Sequence, residues 1–238
     1  MIRVPNPIIA AIDTTDLATA QAWARSLTPH VGLLKLGLAF YLAHGQAGVR
    51  AVTDRPVFLD LKLHDIPNTV AGGVSAVLPL GAAMLTLHAS GGSAMIEAAR
   101  NAAEKAGAAR PKLLAVTVLT SLSAEALAET GVAASPAAQV LRLAKLALHA
   151  GADGLVCSPL EVAMLRAEIG PEPLLVVPGI RPVGAAAGDQ ARTLTPREAI
   201  SAGADWLVIG RPITGATDPA AAAAAIAADL ASEPAACA

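Results

Sequence analysis

Eight short apolar runs divide the chain: Ile8–Asp13, Val31–Gly37, Val57–His64, Met84–Ala89, Lys112–Thr120, Leu155–Ser158, Leu174–Pro178 and Trp206–Arg211. Most are unbroken Leu, Val and Ile rather than polar–apolar alternations, the pattern of parallel strands covered on both faces. Between them lie alanine-rich segments of helical character, including Asp16–Leu27, Asn68–Leu80, Ser93–Lys105, Pro136–His149 and Pro219–Ala231. The spacing gives about 30 residues per strand–helix unit, the size of a βα repeat. A weak internal echo agrees: Gly151–Val156 reads GADGLV, Gly203–Val208 reads GADWLV, and Gly81–Leu85 is a fainter copy. Each glycine is expected to end a helix and each following run to start a strand. Eight such units without a linker predict an α/β fold, a single-domain (β/α)8 TIM barrel over residues 1–238. An open doubly wound sheet is the alternative. It needs Gly-x-Gly-x-x-Gly after the first strand, and Ile12–Asp16 supplies none.

Composition narrows the function classes. The chain is 54% hydrophobic, 15% charged and 2% aromatic, with a formal net charge of −2. It is too apolar for disorder. It lacks both the basic balance and the aromatic platforms of a nucleic-acid binder. Its mean hydropathy of +0.55 comes largely from alanine, and no uncharged run of roughly 20 strongly apolar residues suggests a membrane span. The start, MIRVPNPIIA, has no long apolar segment of a signal peptide. Two cysteines, Cys157 and Cys237, make neither a disulfide framework nor a metal cluster. Cys157 reads as a small buried hydrophobe. The expectation is a reduced, cytoplasmic protein without nucleic-acid or membrane partners.

Ionisable residues sit where an apolar core is expected. Barrel enzymes place their chemistry at the C-terminal ends of strands. The first run ends in Asp13, the second carries Lys35, and the third reads Val57-Phe-Leu-Asp60-Leu-Lys62-Leu-His64-Asp65. Alternation puts Leu59, Leu61 and Leu63 on one face and Phe58, Asp60, Lys62 and His64 on the other, looking into the barrel. Buried charges persist only when paired, so Lys35, Asp60 and Lys62 are expected to alternate in sign. A structural ion pair closing one barrel end is one reading of this array; a catalytic site is the other. Asp65 lies beyond the strand, free to point away from its own barrel toward a partner subunit. Pro67 stops the strand, and Asn68 or Thr69 can cap the next helix.

The later strand ends carry different chemistry. The seventh runs into Pro178-Gly-Ile-Arg181-Pro182 and then a long polar loop through Gly184, Gly188, Asp189, Gln190 and Arg192, with the character of a lid. The eighth ends in Gly210-Arg211. Phosphate sites in these barrels commonly form after strands seven and eight. Gly210 lets a ligand approach the backbone, and Arg211 offers a bidentate donor. Arg181 and Gln190 are further candidates, whereas Arg192 reads as a surface arginine. Thr120 and Ser121, after the fifth run, either contact a polar ring or cap the helix that begins near Ser123. His88 reads as a supporting residue rather than a ligand contact.

Taken together, Asp60-Leu-Lys62-Leu-His64-Asp65-Ile-Pro67-Asn68-Thr69 resembles the signature of the orotidine 5′-phosphate decarboxylase family, in its bacterial form. Asp13, Lys35, Thr120-Ser121, Pro178 to Pro182, Asp189-Gln190-Ala-Arg192 and Gly210-Arg211 match in order along nearly the whole chain. The resemblance implies a homodimer that converts orotidine 5′-phosphate to UMP and CO2, the last step of de novo UMP synthesis, with no metal and no organic cofactor. It implies that Lys62 protonates C6 of the pyrimidine beside Asp60. Lys35, and Asp65 from the other subunit, complete the charge network. Asp13 and Thr69 fall to the ribose, Thr120 and Ser121 to the pyrimidine. Pro178, Arg181, Gln190, Gly210 and Arg211 fall to the phosphate and lid. The rival readings are a Mg²⁺-dependent sugar-phosphate enzyme of the same superfamily and a non-catalytic nucleotide-binding barrel. The first has an acidic residue where this chain has Lys35, and a lysine there repels a metal.

Overall fold

A computed structural model of the chain describes residues 6–182 and 193–232. The apolar runs form β1 (Ile8–Ile12), β2 (Leu33–Gly37), β3 (Phe58–Leu63), β4 (Met84–His88), β5 (Lys112–Val116), β6 (Gly154–Val156), β7 (Leu174–Val177) and β8 (Trp206–Ile209). Each pairs in parallel with the next, and β8 pairs with β1, closing the barrel. The open-sheet alternative is thereby excluded. The outer helices are α1 (Leu17–Leu27), α2 (Leu38–Val52), α3 (Pro67–Val77), α4 (Ser93–Ala103), α5 (Ala124–Glu129), α6 (Pro136–His149), α7 (Val162–Ile169), α8 (Pro196–Ala202), α9 (Arg211–Thr214) and α10 (Pro219–Ala231). No helix among the described residues is long and apolar enough to cross a membrane.

The unbroken apolar runs serve two separate cores. In β1, Ile8, Ala10 and Ile12 join the layer between sheet and helices, while Ile9 and Ala11 face the barrel axis. The inner core is small and includes Phe58, Met84, Leu114, Val176 and Trp206. Strands needed on both faces can spare few polar positions, and those that appear within them, among them Lys35 in β2, Asp60 and Lys62 in β3 and Thr86 in β4, need partners.

Several strands stop short of the apolar runs. The fifth run extends to Thr120, but β5 ends at Val116 because β6 has only three residues and offers no partner beyond Val156. Arg211, expected within the eighth strand, begins α9. Asn68 and Thr69 do not cap α3: Ile66 takes that position without a side-chain bond, and Pro67 fills the first turn. Its fixed φ and missing N–H suit that turn. Ser123 caps α5 by accepting from the Ala126 N–H at 3.2 Å, so neither Thr120 nor Ser121 does so.

The sequence echo has a physical basis at the N-terminal end of the barrel. Gly151 and Gly203 adopt φ of 95° and 111° at helix ends, a region that favours glycine. The aspartate two residues later ties the strands together. Asp153 accepts the Leu113 N–H at 2.8 Å and is held by Arg110 at 2.7 Å. Asp205 does the same for Leu175 and Arg166, each at 2.7 Å. The faint third copy has Ala83 instead, which keeps only the backbone links to Val57 and Lys112.

Burial pushes the Asp153 carboxyl up, but the Arg110 hydrogen bonds and the Leu113 N–H outweigh it and hold it below the usual carboxylate range. A depressed folded-state pKa contributes stability that is complete above the unfolded value of 3.8 and is lost as pH falls through the folded one. Asp153→Asn is therefore expected to cost about 3 kcal/mol in urea unfolding at pH 7, with the difference from wild type shrinking below about pH 4. A pH-independent difference would remove the ionic part of this account.

Candidate active site

The C-terminal mouth of the barrel holds a cavity of about 250 Å³. Its lining differs from strand to strand. From β1–β3 come Asp13, Lys35, Asp60 and Lys62; from the ends of β5 and β6 come Val116, Val118, Leu119, Thr120, Val156 and Cys157; after β7 and β8 come Pro178, Gly179, Arg181, Gly210 and Arg211. A cavity with charges on one flank, apolar side chains on another and two guanidiniums on a third suits an anion-tailed ligand with a flat body.

Asp60 is the centre of the charged flank. Lys62 Nζ donates to its Oδ1 at 2.7 Å, and Lys35 Nζ lies 3.3 Å from its Oδ2. Lys35 also reaches Asp13 Oδ1 at 3.3 Å. Thr86 Oγ1 donates to Asp60 Oδ1 at 2.9 Å. Burial alone pushes the Asp60 carboxyl up; Lys35 and Lys62, then the hydrogen bonds from Lys62 and Thr86, overcome that and hold it below the usual carboxylate range. Asp60 is thus an anion between two cations.

This geometry comes from a break in β3. Leu59 pairs with Leu85 and Leu63 with Leu87, so β3 advances four residues while β4 advances two. Lys62, at φ 51°, is the only positive-φ residue other than glycine among those described. The left-handed turn is costly for a residue with a side chain and persists where its surroundings fix it. Here the Lys62 N–H donates to Thr86 Oγ1 at 2.9 Å.

The bulge also corrects the expected alternation. Asp60 and Lys62 share the cavity, but His64 does not line it and is exposed. Its ring lies 5.4 Å from that of His88. Burial, then His64 and Lys62, push the His88 imidazole below its ordinary value. His88 stays outside the lining, in keeping with a supporting position.

The other expected residues divide clearly. Thr120, Pro178, Arg181, Gly210 and Arg211 line the cavity; Ser121 is exposed and does not. Burial and neighbouring Arg211 both lower the Arg181 pKa, a repulsion that a bound anion would relieve. Gly210 approaches Asp13: a Cβ there would lie 3.5 Å from Asp13 Oδ2. Asp65 and Thr69 are exposed outside the lining, and the Asp65 carboxylate accepts from the Ile66 N–H. Gln190, together with Gly184, Gly188, Asp189 and Arg192, lies outside the described residues, as does Cys237. Cys157 is buried, and burial raises its thiol pKa strongly. It reaches the cavity as a neutral group.

Sequence reasoning missed Thr86, which is fully buried. A threonine in a strand reads as ordinary β filler; its one signal is a lone hydroxyl in the run Met84–His88. Among the described residues no group of three or more His, Cys, Asp or Glu is placed to hold a metal ion.

These features define a (β/α)8 barrel with an alternating ionic array and two guanidiniums at its mouth. Residues 6–226 match the model of the "Orotidine 5'-phosphate decarboxylase / HUMPS family", and the chain belongs to that family. Similar proteins include orotidine 5′-phosphate decarboxylases of Gluconobacter oxydans, 58% identical over 94% of this chain and 97% of the relative, and of Thermobifida fusca, 54% identical over 94% and 95%. The crystal structure of orotidine 5′-phosphate decarboxylase from Lactobacillus acidophilus superposes with a TM-score of 0.85 at 41% identity, covering 95% of this chain and all of that one.

The two carboxylates of the site differ in burial. Lys35 is 7% exposed. Asp60→Ala leaves it facing only Asp13, whose side chain is 64% exposed. Urea unfolding at pH 7 is expected to show a loss of about 3 kcal/mol for Asp60→Ala and under about 1 kcal/mol for Asp13→Ala. Equal losses would contradict the assignment of Asp60 as the buried counter-ion.

Proposed function

We propose that the chain decarboxylates orotidine 5′-phosphate to UMP and CO2 in the cytoplasm, as one barrel domain over residues 1–238. The observation that carries this reading is the Lys35–Asp60–Lys62 array inside the mouth that also holds Arg181 and Arg211. The order of groups around the cavity supports a nucleotide: guanidiniums for the phosphate, Asp13 beside Gly210 for a ribose hydroxyl, and the apolar β5–β6 wall with Thr120 for the base. Gln190 is assigned to the phosphate and Ser121 to the pyrimidine on motif position alone.

Loss of CO2 leaves an electron pair at C6 in the plane of the ring, where no π system accepts it. A preorganised ammonium stabilises that pair and then transfers its proton to it. Lys62 fills this role, and Asp60 keeps it charged and oriented. Two ammoniums around one carboxylate disfavour a divalent cation, so the reaction is assigned no metal; that it uses no organic cofactor is proposed on the family resemblance. Phosphate binding is remote from C6, and its energy can hold the reacting ring against the array.

The active form is proposed to be a homodimer in which Asp65 and Thr69 enter the neighbouring copy's site. Their exposure in one chain supports this. So do exposed Leu38, Leu42 and Ile66 at the starts of α2 and α3, where Ile66 is 67% exposed.

The deciding assay follows the loss of ultraviolet absorbance of orotidine 5′-phosphate. Turnover is expected in EDTA-treated protein; EDTA-sensitive turnover would favour the sugar-phosphate reading. Lys62→Ala is expected to bind UMP while losing at least about 10³-fold in kcat; near-normal turnover would remove Lys62 from its role. Arg211→Ala is expected to lower kcat as well as affinity, and a change confined to KM would contradict the use of phosphate binding energy in the chemical step.

A further inference from the structure

We propose that Thr86 is a positioning residue for the decarboxylation, its hydroxyl locking the β3 bulge that brings Asp60 and Lys62 together. The inference rests on the assignment of Lys62 as proton donor. Thr86 is fully buried at the centre of β4. Its single hydroxyl makes two bonds of opposite sense: it donates to Asp60 Oδ1 at 2.9 Å and accepts from the Lys62 N–H at 2.9 Å. Lys62 Nζ returns to the same Asp60 oxygen at 2.7 Å. The four groups close a ring that runs from the Lys62 backbone through Thr86 and Asp60 to the Lys62 ammonium. A hydroxyl, with one proton to give and lone pairs to accept, completes this ring. Valine has the same branched shape and can do neither.

The ring explains how a lysine is kept in the left-handed region. The bulge leaves the Lys62 N–H without the ladder partner it would have in a regular strand, and Thr86 supplies a side-chain acceptor in its place. The same hydroxyl fixes the rotation of the Asp60 carboxylate, which in turn fixes the ammonium. A purely space-filling role would need neither bond. His88, two residues on, Lys35 and Lys62 are the other ionisable groups about Asp60, and neither lysine ammonium accepts the Lys62 N–H, which goes to Thr86.

Thr86→Val and Thr86→Ser separate the two roles. Thr86→Val is expected to lower kcat for orotidine 5′-phosphate by roughly 10- to 100-fold, the loss of one hydrogen bond to a charged group, with KM within about threefold. Its acid limb of activity should shift to higher pH, because Asp60 loses a bond that favours its charged form. Thr86→Ser, which keeps the hydroxyl, should stay within about threefold of wild type in kcat. Amide hydrogen exchange at Lys62 should accelerate in Thr86→Val and not in Thr86→Ser. Unchanged kcat in a folded Thr86→Val, equal losses in both variants, or unchanged Lys62 exchange would overturn the proposal. If the wild-type protein itself fails to release CO2, the functional reading falls. The exchange measurement then still decides whether Thr86 locks the bulge.

Discussion

A carboxylate held between two ammoniums at the mouth of a barrel governs the rest of this molecule. Neither Lys35 nor Asp60 is tolerable there alone, because moving an unpaired ion out of water costs several kcal/mol even after relaxation. Together they are stable, but only at separations of about 3 Å, which requires three side chains from two strands to converge. β2 delivers Lys35 by regular pleating. β3 delivers Asp60 and Lys62 by departing from it. The strained turn at Lys62 follows from the need to bring both groups to one carboxylate oxygen cluster.

The two ends of the barrel divide the work. At the N-terminal end, Arg110–Asp153 and Arg166–Asp205 join side-chain charge to strand backbone, and the carboxylates are spent on the protein's own N–H groups. At the C-terminal end the charges face a cavity instead. The same residue types therefore have opposite meanings according to which strand end they occupy. The N-terminal charges are satisfied by backbone, whereas those at the C-terminal end are satisfied by one another and still line open space.

Around the mouth, charge is sorted by strand number. The alternating array lies on β1–β3, the apolar wall on β5 and β6, and the guanidiniums after β7 and β8. Because β8 pairs with β1, the guanidinium side adjoins Asp13, which is itself paired with Lys35.

The repeat of apolar runs about every 30 residues gave parallel strands buried on both faces, the count of eight and the missing glycine motif favoured a barrel over an open sheet, and the pairing of β8 with β1 decided it. Asp13, Lys35, Asp60, Lys62, Arg181 and Arg211, which line one cavity, were legible as a cluster because charges toward the C-terminal ends of apolar strands must find partners at one mouth. What the sequence did not carry was register. Alternation by twos put His64 in the cavity and gave Thr86 no role, since a bulge is set by the strand alongside and not by the residues of the strand that bends. Caps and strand ends shifted similarly, with Ile66 displacing Asn68 and Thr69, and short β6 cutting off β5. Local chain chemistry thus determined which residues were available, and closure of the barrel decided which of them meet, because distances across strands depend on pairing that no single segment encodes.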